Sequence, residues 1–448
     1  QDCEIHVLSG RYSSFSALPA GVREIRIDSE SVSLSQIKKA VDDHRLDALL
    51  PVTEALLPQT ACALIGWIPD FQHRHLPEYF HAEELVQRDR YFGYLVGNCD
   101  GMIFSSDDVR NDFRTFYPAY PGLVARAHFP SSFAYDEKVL EGDPRFVLDK
   151  FHLPQAFVLV ANQFWKHKNH RLVVEAVAQC RRQCPDVHVV MVGVPSDSRD
   201  PRNSHLSELF RRLSVEKLFE NLTVLGEVSL ADLIALMRCA VEVVQPSKFE
   251  GWNTTVEDAL ALGKRVACSD LATHREQVPG TFFFPLEEAA PLAVHLAGLD
   301  WSRCGWSGVE QEKASLEKER QRGALWAGEL ITFCRSVVEA RRLSGGNRAG
   351  WVGHHPEDEI KQHPLLHIDY LQGCRETLQK RVDELTANLK TVREKSAEER
   401  RLLQEKASSA SRKADALSQE LWQEKSKPLR ARVSDELRRR FGSPKKST

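Results

Sequence analysis

The sequence lacks several patterns that would place it in common protein classes. Its ten cysteines are scattered and form no Cys-x-x-Cys pair, so a zinc or redox site of that type is not indicated. Cys180 and Cys184 have no second ligand pair nearby, and we interpret the cysteines as reduced thiols of a cytoplasmic protein. No stretch approaches the roughly 20 apolar residues of a membrane-spanning helix, and no signal peptide is visible.

Charge of one sign is not in excess either. Lys and Arg number 60 against 63 Asp and Glu, a net charge of −3, which does not indicate a nucleic-acid-binding protein. A Gly-x-Gly-x-x-Gly fingerprint is absent, which sets aside a nicotinamide-dependent enzyme. What is present is a globular composition with 42% hydrophobic residues over 448 residues. That length allows two or three domains.

Two regions alternate between short apolar runs and amphipathic segments, which predicts parallel sheets with helices on both faces. In the first, we predict strands at residues 4–8, 22–27, 47–52, 62–68 and 101–104, with helices at 35–44 and 82–96. In the second, we predict strands at 157–161, 187–193, 224–228, 241–244 and 265–268, followed by helices at 289–299 and 314–343. Residues 118–156 are rich in proline, with a helix predicted at 143–151.

The most informative stretch is residues 246–263, Pro-Ser-Lys-Phe-Glu-Gly-Trp-Asn-Thr-Thr-Val-Glu-Asp-Ala-Leu-Ala-Leu-Gly. It follows a predicted buried strand and predicts a polar loop that leads into a helix. The free N–H groups of a helix start suit a phosphate, while Glu250 and Asp258 are acceptors for sugar hydroxyls. A loop with an ordinary capped helix is the alternative. We favour that alternative for Glu250 alone, but not for the whole segment.

This segment resembles the Glu-x7-Glu signature of the retaining GT-B glycosyltransferases of family 4, with Asp258 at the position of the second Glu. The resemblance extends over residues 60–340. It implies two Rossmann-like, doubly wound parallel-sheet domains and a nucleotide-diphosphate sugar as donor. It also implies that Glu250 binds hydroxyls of the donor sugar and that Asp258 binds the ribose.

A second segment, Asn162 to His170, carries several basic groups at a helix start, where they oppose the helix dipole unless an anion lies there. The family places an Arg and a Lys here on the donor diphosphate. Lys168 matches the Lys, whereas Gln163 stands at the Arg position and Lys166 is the substitute. A solvated basic turn is the alternative. A metal site is not indicated, because no third ligand accompanies the histidines.

The resemblance gives a full set of candidate residues. In the first domain, Pro69 stands where the family usually has His, Asp70 is retained, and His73 is a nearby substitute whose alternative reading is a surface loop. The catalytic candidates are Glu250, Lys168, Asp70 and His73. The donor-binding candidates are Gln163, Lys166, Lys168, Val228, Glu250, Gly251, Asn253, Thr254, Thr255, Val256 and Asp258.

One family feature is missing, because no Gly-rich turn follows the first predicted strand. The chain also starts at Gln1 rather than Met, so we expect either a truncated start or a reduced first domain. Together with Pro69 and Gln163, this favours a non-catalytic coiled-coil scaffold with a degenerate transferase domain as the alternative function. The intact 246–263 stretch favours the enzyme.

The composition changes after residue 343. Residues 371–425 show apolar positions at heptad spacing, which predicts a coiled coil and a homo-oligomer; a single solvated helix is the alternative. The basic tail at 426–448 could touch an anionic membrane surface, with a disordered tail as the alternative. The predicted organisation is an acceptor-side domain at 1–130, a linker at 131–156, a nucleotide-sugar domain at 157–343, a linker at 344–370, the coiled coil and the tail.

These observations predict a retaining hexosyltransferase without metal or cofactor. It would transfer a hexose from a nucleotide-diphosphate sugar to a hydroxyl of a glycan or other acceptor. We expect a role in polysaccharide or glycoconjugate biosynthesis, in the cytoplasm or at the inner face of the membrane.

Overall fold

The computed structural model describes residues 3–9, 21–27, 34–52, 60–197, 199–200 and 203–345. Contacts divide the chain into two units, Gln1–His355 and Pro356–Thr448, and all described residues belong to the first. The predicted coiled coil and basic tail lie outside the described residues, as does most of the linker at 344–370.

Among its described residues, the first lobe (3–127) contains six strands and four α-helices. The strands are β1 (Ile5–Ser9), β2 (Val22–Arg26), β3 (Ala48–Val52), β4 (Ala63–Ile68), β5 (Gly101–Phe104) and β6 (Leu123–Arg126). The helices are α1 (Leu34–His44), α2 (Gln72–His75), α3 (Ala82–Asn98) and α4 (Asp107–Phe116). Strands β3-β4-β5-β6 form one parallel sheet in that order, and β1 and β2 form a separate parallel pair.

Strand β6 is an element that the sequence did not predict. It lies in the proline-rich region after residue 118 and pairs with β5 at the edge of the sheet. Its four side chains are exposed or half-buried, because an edge strand needs little apolar surface. Apolar patterning therefore gave no signal for it.

The part of the second lobe (146–297) that the structure describes contains six further strands and seven α-helices. The strands are β7 (Val158–Ala161), β8 (Val189–Val192), β9 (Leu222–Gly226), β10 (Glu242–Gln245), β11 (Val266–Ser269) and β12 (Phe282–Phe284). The helices are α5 (Phe146–Lys150), α6 (His170–Cys180), α7 (Ser204–Val215), α8 (Leu230–Cys239), α9 (Thr254–Ala261), α10 (Ala272–Gln277) and α11 (Ala289–Ala297).

The strands of the second lobe form one parallel sheet in the order β12-β11-β10-β7-β8-β9. Alternate residues of β7 face two different cores: Leu159 packs with α8 and α9, while Val158 and Val160 pack with α6 and α11. The predicted doubly wound architecture is confirmed. The strand order reverses between β7 and β10, where the carboxyl ends of neighbouring strands open a crevice for ligands.

The last described helix, α12 (Val309–Leu343), has 35 residues and is therefore about 50 Å long. Near its start, Glu312 pairs with buried Arg238 of the second lobe at 3.0 Å. Near its end, Val337 is fully buried against Ile65 and Ile103 of the first lobe. The helix thus crosses back to the first domain. Among the described residues, no helix combines the length and apolarity needed to cross a membrane.

Candidate functional site

The two charged segments of the second lobe meet at the carboxyl ends of its central strands. Strand β7 leads into a 3-10 turn at Lys166–Lys168, and β10 leads into the loop before α9. Lys168 Nζ lies 2.6 Å from Glu250 Oε1. The two side chains are only 16% and 9% exposed, so water screens this ion pair much less than a surface pair.

The charge state of Glu250 follows from two opposing effects. Burial alone would raise the pKa of its carboxyl, because desolvation penalises the charged form. The ammonium of Lys168 and a hydrogen bond from it outweigh burial, so that the pKa lies below its ordinary value. Glu250 is therefore a carboxylate at neutral pH, and it can only accept hydrogen bonds.

Asn253 and His274 hold this carboxylate in place. Asn253 caps α9, because its Oδ1 accepts a hydrogen bond from Val256 N at 3.2 Å. Its Nδ2 donates to Glu250 Oε1 at 3.2 Å and lies 3.2 Å from His274 Nε2. His274 Nδ1 donates to the Ser269 carbonyl at 2.9 Å, which leaves Nε2 as an acceptor for Asn253.

His274 is the site residue that the sequence did not reveal. In the sequence, no spacing pattern distinguishes this histidine from the others. The structure places it 0% exposed behind Asn253. Burial lowers the pKa of its imidazole, so the ring stays neutral and keeps the tautomer that supports the amide.

The start of α9 lies at the same edge of the sheet. Thr255 Oγ1 donates to the carbonyl of Ala161, the last residue of β7, at 3.1 Å. In the part of the chain that the structure describes, the N–H groups of Thr254 and Thr255 take part in no hydrogen bond. These two amides, the partial positive charge of the helix start and Lys168 together form a site suited to an anion.

Asp258 lies one turn further along α9 and has a different partner. Its Oδ1 accepts a hydrogen bond from Ser131 Oγ, in the segment between the lobes, at 2.6 Å. Burial raises the pKa of this carboxyl to about 6, and the nearby Glu257 and Glu319 add to the rise. Its neighbour Glu257 is bound to Gln277 and Arg322 instead.

The remaining donor-binding candidates follow the neighbouring strands. Gln163 is exposed after β7. Lys166 is also exposed, with its ammonium 4.8 Å from the centre of the Tyr79 ring. Val228 is half-buried after β9 and packs on the core of the second lobe.

The first lobe lies directly against the signature turn. A Cβ atom at Gly251 would collide with the carbonyl oxygen of Pro69 and lie 2.8 Å from Asp70 Cβ, so this approach requires glycine. Asp70 thus lies beside the loop that carries Glu250. Its Oδ1 also accepts a hydrogen bond from Gln72 N at 2.8 Å.

His73 lies elsewhere. Its side chain is 1% exposed, and its Nε2 is 2.8 Å from Asp89 Oδ1. Its ring packs against Phe80 and Phe92 in the first lobe, and burial lowers the pKa of the imidazole. The structure therefore does not bring His73 to Glu250. The nearby His75 instead faces Phe249, with ring centroids 5.3 Å apart.

Polar and aromatic contacts join the lobes on both sides of this turn. On one side, Glu276 of α10 accepts hydrogen bonds from the backbone N–H of Asp107 at 2.9 and 3.0 Å and also pairs with His128. On the other, Arg199 Nη1 donates to Gln72 Oε1 at 3.1 Å and its guanidinium lies 3.9 Å from the Phe80 ring centre. Within the described ranges, no group of three His, Cys, Asp or Glu side chains is placed to hold a metal ion.

Sequence comparison connects this geometry to a known family. Residues 149–281 match the family model Glycosyl transferases group 1. The matched segment contains Lys168, Glu250, Asn253, His274 and Asp258. No curated protein sequence gives a significant match to the chain.

Solved structures share the two-lobed architecture. Sucrose-phosphate synthase from Thermosynechococcus elongatus superimposes with a TM-score of 0.53 at 15% identity, covering 77% of this chain and 90% of its own. HepE from Anabaena in complex with UDP has a TM-score of 0.48 at 16% identity, covering 72% of this chain and 86% of its own. A glycosyltransferase from Rickettsia africae has a TM-score of 0.48 at 14% identity, covering 71% and 85%. The fold is the GT-B fold.

Proposed function

We propose that this protein is a retaining hexosyltransferase that uses a nucleotide-diphosphate sugar as donor and a hydroxyl as acceptor. The observation that carries the proposal is the buried ion pair of Lys168 and Glu250 beside the free amides at the start of α9. This arrangement offers hydrogen-bond donors for a diphosphate and a hydrogen-bond acceptor for sugar hydroxyls within one crevice. Retention of configuration rests on the resemblance to family 4.

Each group has a defined task in this proposal. Lys168 and the amides of Thr254 and Thr255 bind the diphosphate and stabilise the negative charge that it gains as the bond to the sugar breaks, a form of electrostatic catalysis. Glu250 accepts hydrogen bonds from donor-sugar hydroxyls. Asp258 accepts from the ribose after exchanging its bond to Ser131, and Asp70 reaches the reacting sugar from the first lobe.

The contact between Lys168 and Glu250 also implies an exchange at Lys168. Its ammonium contacts Glu250 at 2.6 Å, so an incoming diphosphate competes with an internal carboxylate for the same cation. Once Lys168 turns to the phosphate, Glu250 regains lone pairs for the sugar hydroxyls. Binding of the two halves of the donor is therefore coupled, which favours an intact nucleotide sugar over either half alone.

The finer parts of the proposal rest on the sequence. The acceptor is a glycan or another hydroxyl compound, in polysaccharide or glycoconjugate biosynthesis. The heptads at 371–425 support a homo-oligomer, and the tail at 426–448 supports contact with the inner face of the membrane by a cytoplasmic protein. The second candidate function, a non-catalytic coiled-coil scaffold, is favoured by Gln163 at the family's Arg position and by Pro69 at its His position.

A panel of nucleotide sugars tests the proposal. The full chain is titrated by calorimetry with UDP-, GDP- and ADP-hexoses, and any donor that binds is then followed for release of the nucleoside diphosphate with simple sugar acceptors. We expect one donor to bind and turn over, and NMR of the product to show the donor's anomeric configuration. Binding without turnover, or no binding by a folded chain, would favour the scaffold.

A further inference from the structure

The acids of α9 are connected to α12, which lies outside the segment that matches the family model. Ser131, in the segment between the lobes, forms the connection. Its hydroxyl donates to Asp258 Oδ1 at 2.6 Å, while its backbone N–H donates to Glu319 Oε1 of α12 at 2.7 Å. Ser131 and Glu319 are both buried. Glu319 therefore fixes the backbone that presents a hydroxyl to Asp258.

A single guanidinium binds the acids of the two helices. Arg322 follows Glu319 by three residues in α12 and donates to it from Nε at 2.9 Å and from Nη2 at 2.5 Å. The same Nη2 also pairs with Glu257, the neighbour of Asp258 in α9. Glu257 is only 1% exposed, and a buried carboxylate needs a partner for its charge. Arg322 thus serves one acid on each helix.

Arg322 is also connected to the start of α9. Glu257 Oε1 accepts a hydrogen bond from Gln277 Nε2 at 2.9 Å, and the same amide donates to the Asn253 carbonyl at 3.1 Å. Gln277 Oε1 in turn accepts from Asn253 N at 3.2 Å. Since Asn253 donates to Glu250, a chain of hydrogen bonds leads from Arg322 to Glu250 as well as to Asp258.

The charges around Asp258 are unequal in number. Its acidic neighbours are Glu257 on its own helix and Glu319 on α12, and both of them bind the guanidinium of Arg322. Burial is the main cause that raises the pKa of Asp258, and the two acids add to the rise, because like charges disfavour ionisation. A change of charge at Glu319 should therefore change the ionisation of Asp258.

We propose that Glu319 and Arg322 are positioning residues of the ribose site. Glu319 acts on Asp258 through Ser131, and Arg322 holds Asp258 and Glu250 in a fixed relation. This inference rests on the proposed function, in which Asp258 accepts from the ribose and Glu250 from the donor sugar. The two α12 residues do not contact the nucleotide in this proposal; they determine how well the two acids face it.

The action of Glu319 can be measured without a ligand. Glu319→Gln retains an oxygen that accepts from Ser131 N but removes the charge. The difference in melting temperature between Asp258→Asn and its parent is measured against pH in the full-length wild type and in full-length Glu319→Gln. We expect the midpoint of this difference to lie at lower pH in Glu319→Gln, because a neutral amide no longer opposes ionisation of Asp258.

Arg320→Gln is the matched control on the same helix. Arg320 Nε donates to the Ala134 carbonyl at 2.6 Å, and its guanidinium pairs with Glu317. These contacts involve the segment between the lobes but no acid of α9, so we expect the midpoint to stay unchanged. An unchanged midpoint in Glu319→Gln, or an equal shift in Arg320→Gln, would overturn the role of Glu319.

Ligand binding tests Arg322. The full-length proteins are titrated with UDP, GDP and ADP, with the 2′,3′-dideoxy forms of these nucleotides, and with the corresponding nucleotide hexoses. The affinity ratio of ribose to dideoxy form reports on Asp258, and protonation of the phosphate cancels in it. The affinity ratio of nucleotide hexose to nucleoside diphosphate reports on Glu250. We expect Arg322→Gln to reduce both ratios several-fold and Arg320→Gln to change neither.

Glu319→Gln separates the two connections in the same titrations. Only its ribose-to-dideoxy ratio should differ from that of the wild type, and this ratio should fall at lower pH. An equal loss of affinity for every ligand in Arg322→Gln would show a merely structural role and overturn the positioning role of Arg322. Absence of nucleotide binding by the folded wild type would contradict the proposed function and the ribose site with it, while the melting experiment decides independently whether Glu319 acts on Asp258.

Discussion

The two lobes share an alternating α/β chain but cover their sheets differently. In the second lobe, both faces of the six-stranded sheet are packed mainly by its own helices. Phe133 and Val139, from the segment before the lobe, and Leu316 of α12 also join one of its cores. In the first lobe, one face of the four-stranded sheet packs against α3 and α4, while Ile65 and Ile103 on the other face pack against Val337 and its neighbours in α12. The first lobe therefore depends on a helix that lies more than 180 residues after it in the chain.

The residues of the candidate site are also distributed unequally between the two lobes. The charged and polar groups of the candidate site, Lys168, Glu250, Asn253 and His274, all belong to the second lobe, and the family match at 149–281 lies entirely within it. The first lobe contributes Pro69 and Asp70 at the end of β4. In the proposed function, the second lobe therefore supplies the donor site, and the first lobe must be held against it.

The largest effect is expected for Lys168→Ala, which removes the only cation bound to Glu250 in the described residues. Leaving a buried carboxylate without its partner costs about 3–5 kcal/mol of stability, and loss of one charge-stabilising donor lowers turnover by roughly 10²–10³-fold. Chemical denaturation and initial rates measure the two effects. Lys39→Ala is the matched control, because that ammonium is exposed and pairs with Asp43 at the surface, and we expect it to change either quantity only slightly. Equal effects of the two variants would contradict the assignment.

A smaller effect, which depends on pH, is expected at Asp258, where the second lobe meets the segment between the lobes. The pKa of this carboxyl rises from 3.8 to about 6 on folding, so the native state holds the proton more tightly than the unfolded chain. Ionisation of Asp258 therefore destabilises the fold progressively as the pH rises from about 4 through 6. The penalty at pH 7.5 is at most about 3 kcal/mol.

Asp258→Asn removes this penalty but can still accept the hydrogen bond from Ser131. We expect the difference in melting temperature, variant minus wild type, to be larger at pH 7.5 than at pH 4.5. The same variant should bind the nucleotide more weakly, because the ribose loses a charged acceptor. A melting difference that stays constant with pH would mean that Asp258 titrates normally in the fold.

The dependence of the first lobe on α12 is tested by Val337→Ala. The side chain is 0% exposed and touches Gly101 and Phe333 around the first-lobe sheet. Removing two buried methyl groups costs about 2 kcal/mol. Hydrogen exchange should then increase in β4 and β5 more than in β7 and β10. Leu343→Ala, at an exposed position of the same helix, is the control. A uniform increase of hydrogen exchange in both lobes would argue against the particular dependence of the first lobe on α12.

The sequence predicted most of the second lobe because its signals are local. Four of its strands are buried along their whole length, and a continuous apolar run is recognisable without knowledge of its partners. Lys168 and Glu250 were assigned to one site because two short motifs resemble those of the family, and the structure brings the two side chains to 2.6 Å. Both motifs follow strands that are neighbours in the parallel sheet, so the sheet topology brings the two motifs together.

Signals that depend on distant partners could not be read in the same way. Strand β6 is defined by its pairing with β5 rather than by apolar residues, and His274 matters only because folding brings it behind Asn253. His73 was chosen for its proximity in sequence to Asp70. The helix α2, which follows Asp70, instead directs the His73 side chain into the aromatic core, beside Phe92 and Asp89. Single-sequence patterns do not contain these tertiary contacts.

The smallest of the expected effects, about one decade in turnover, concerns Glu250 and separates its role from that of Lys168. A hydroxyl–carboxylate hydrogen bond is worth about 1.5–3 kcal/mol, and part of it should strengthen as positive charge develops on the sugar ring. Glu250→Gln keeps the shape and one acceptor but removes the charge, so we expect turnover to decrease about tenfold, since 1.36 kcal/mol of barrier is one decade. Affinity for the bare nucleoside diphosphate should not decrease, because the variant also frees Lys168 from its internal partner. Glu287→Gln, which alters an exposed acid paired with Lys248, is the control for a general loss of negative charge near the crevice. Kinetics and calorimetry on both variants decide the matter: full turnover in Glu250→Gln, or weaker binding of the bare nucleotide, would show that Glu250 serves the phosphate site rather than the sugar.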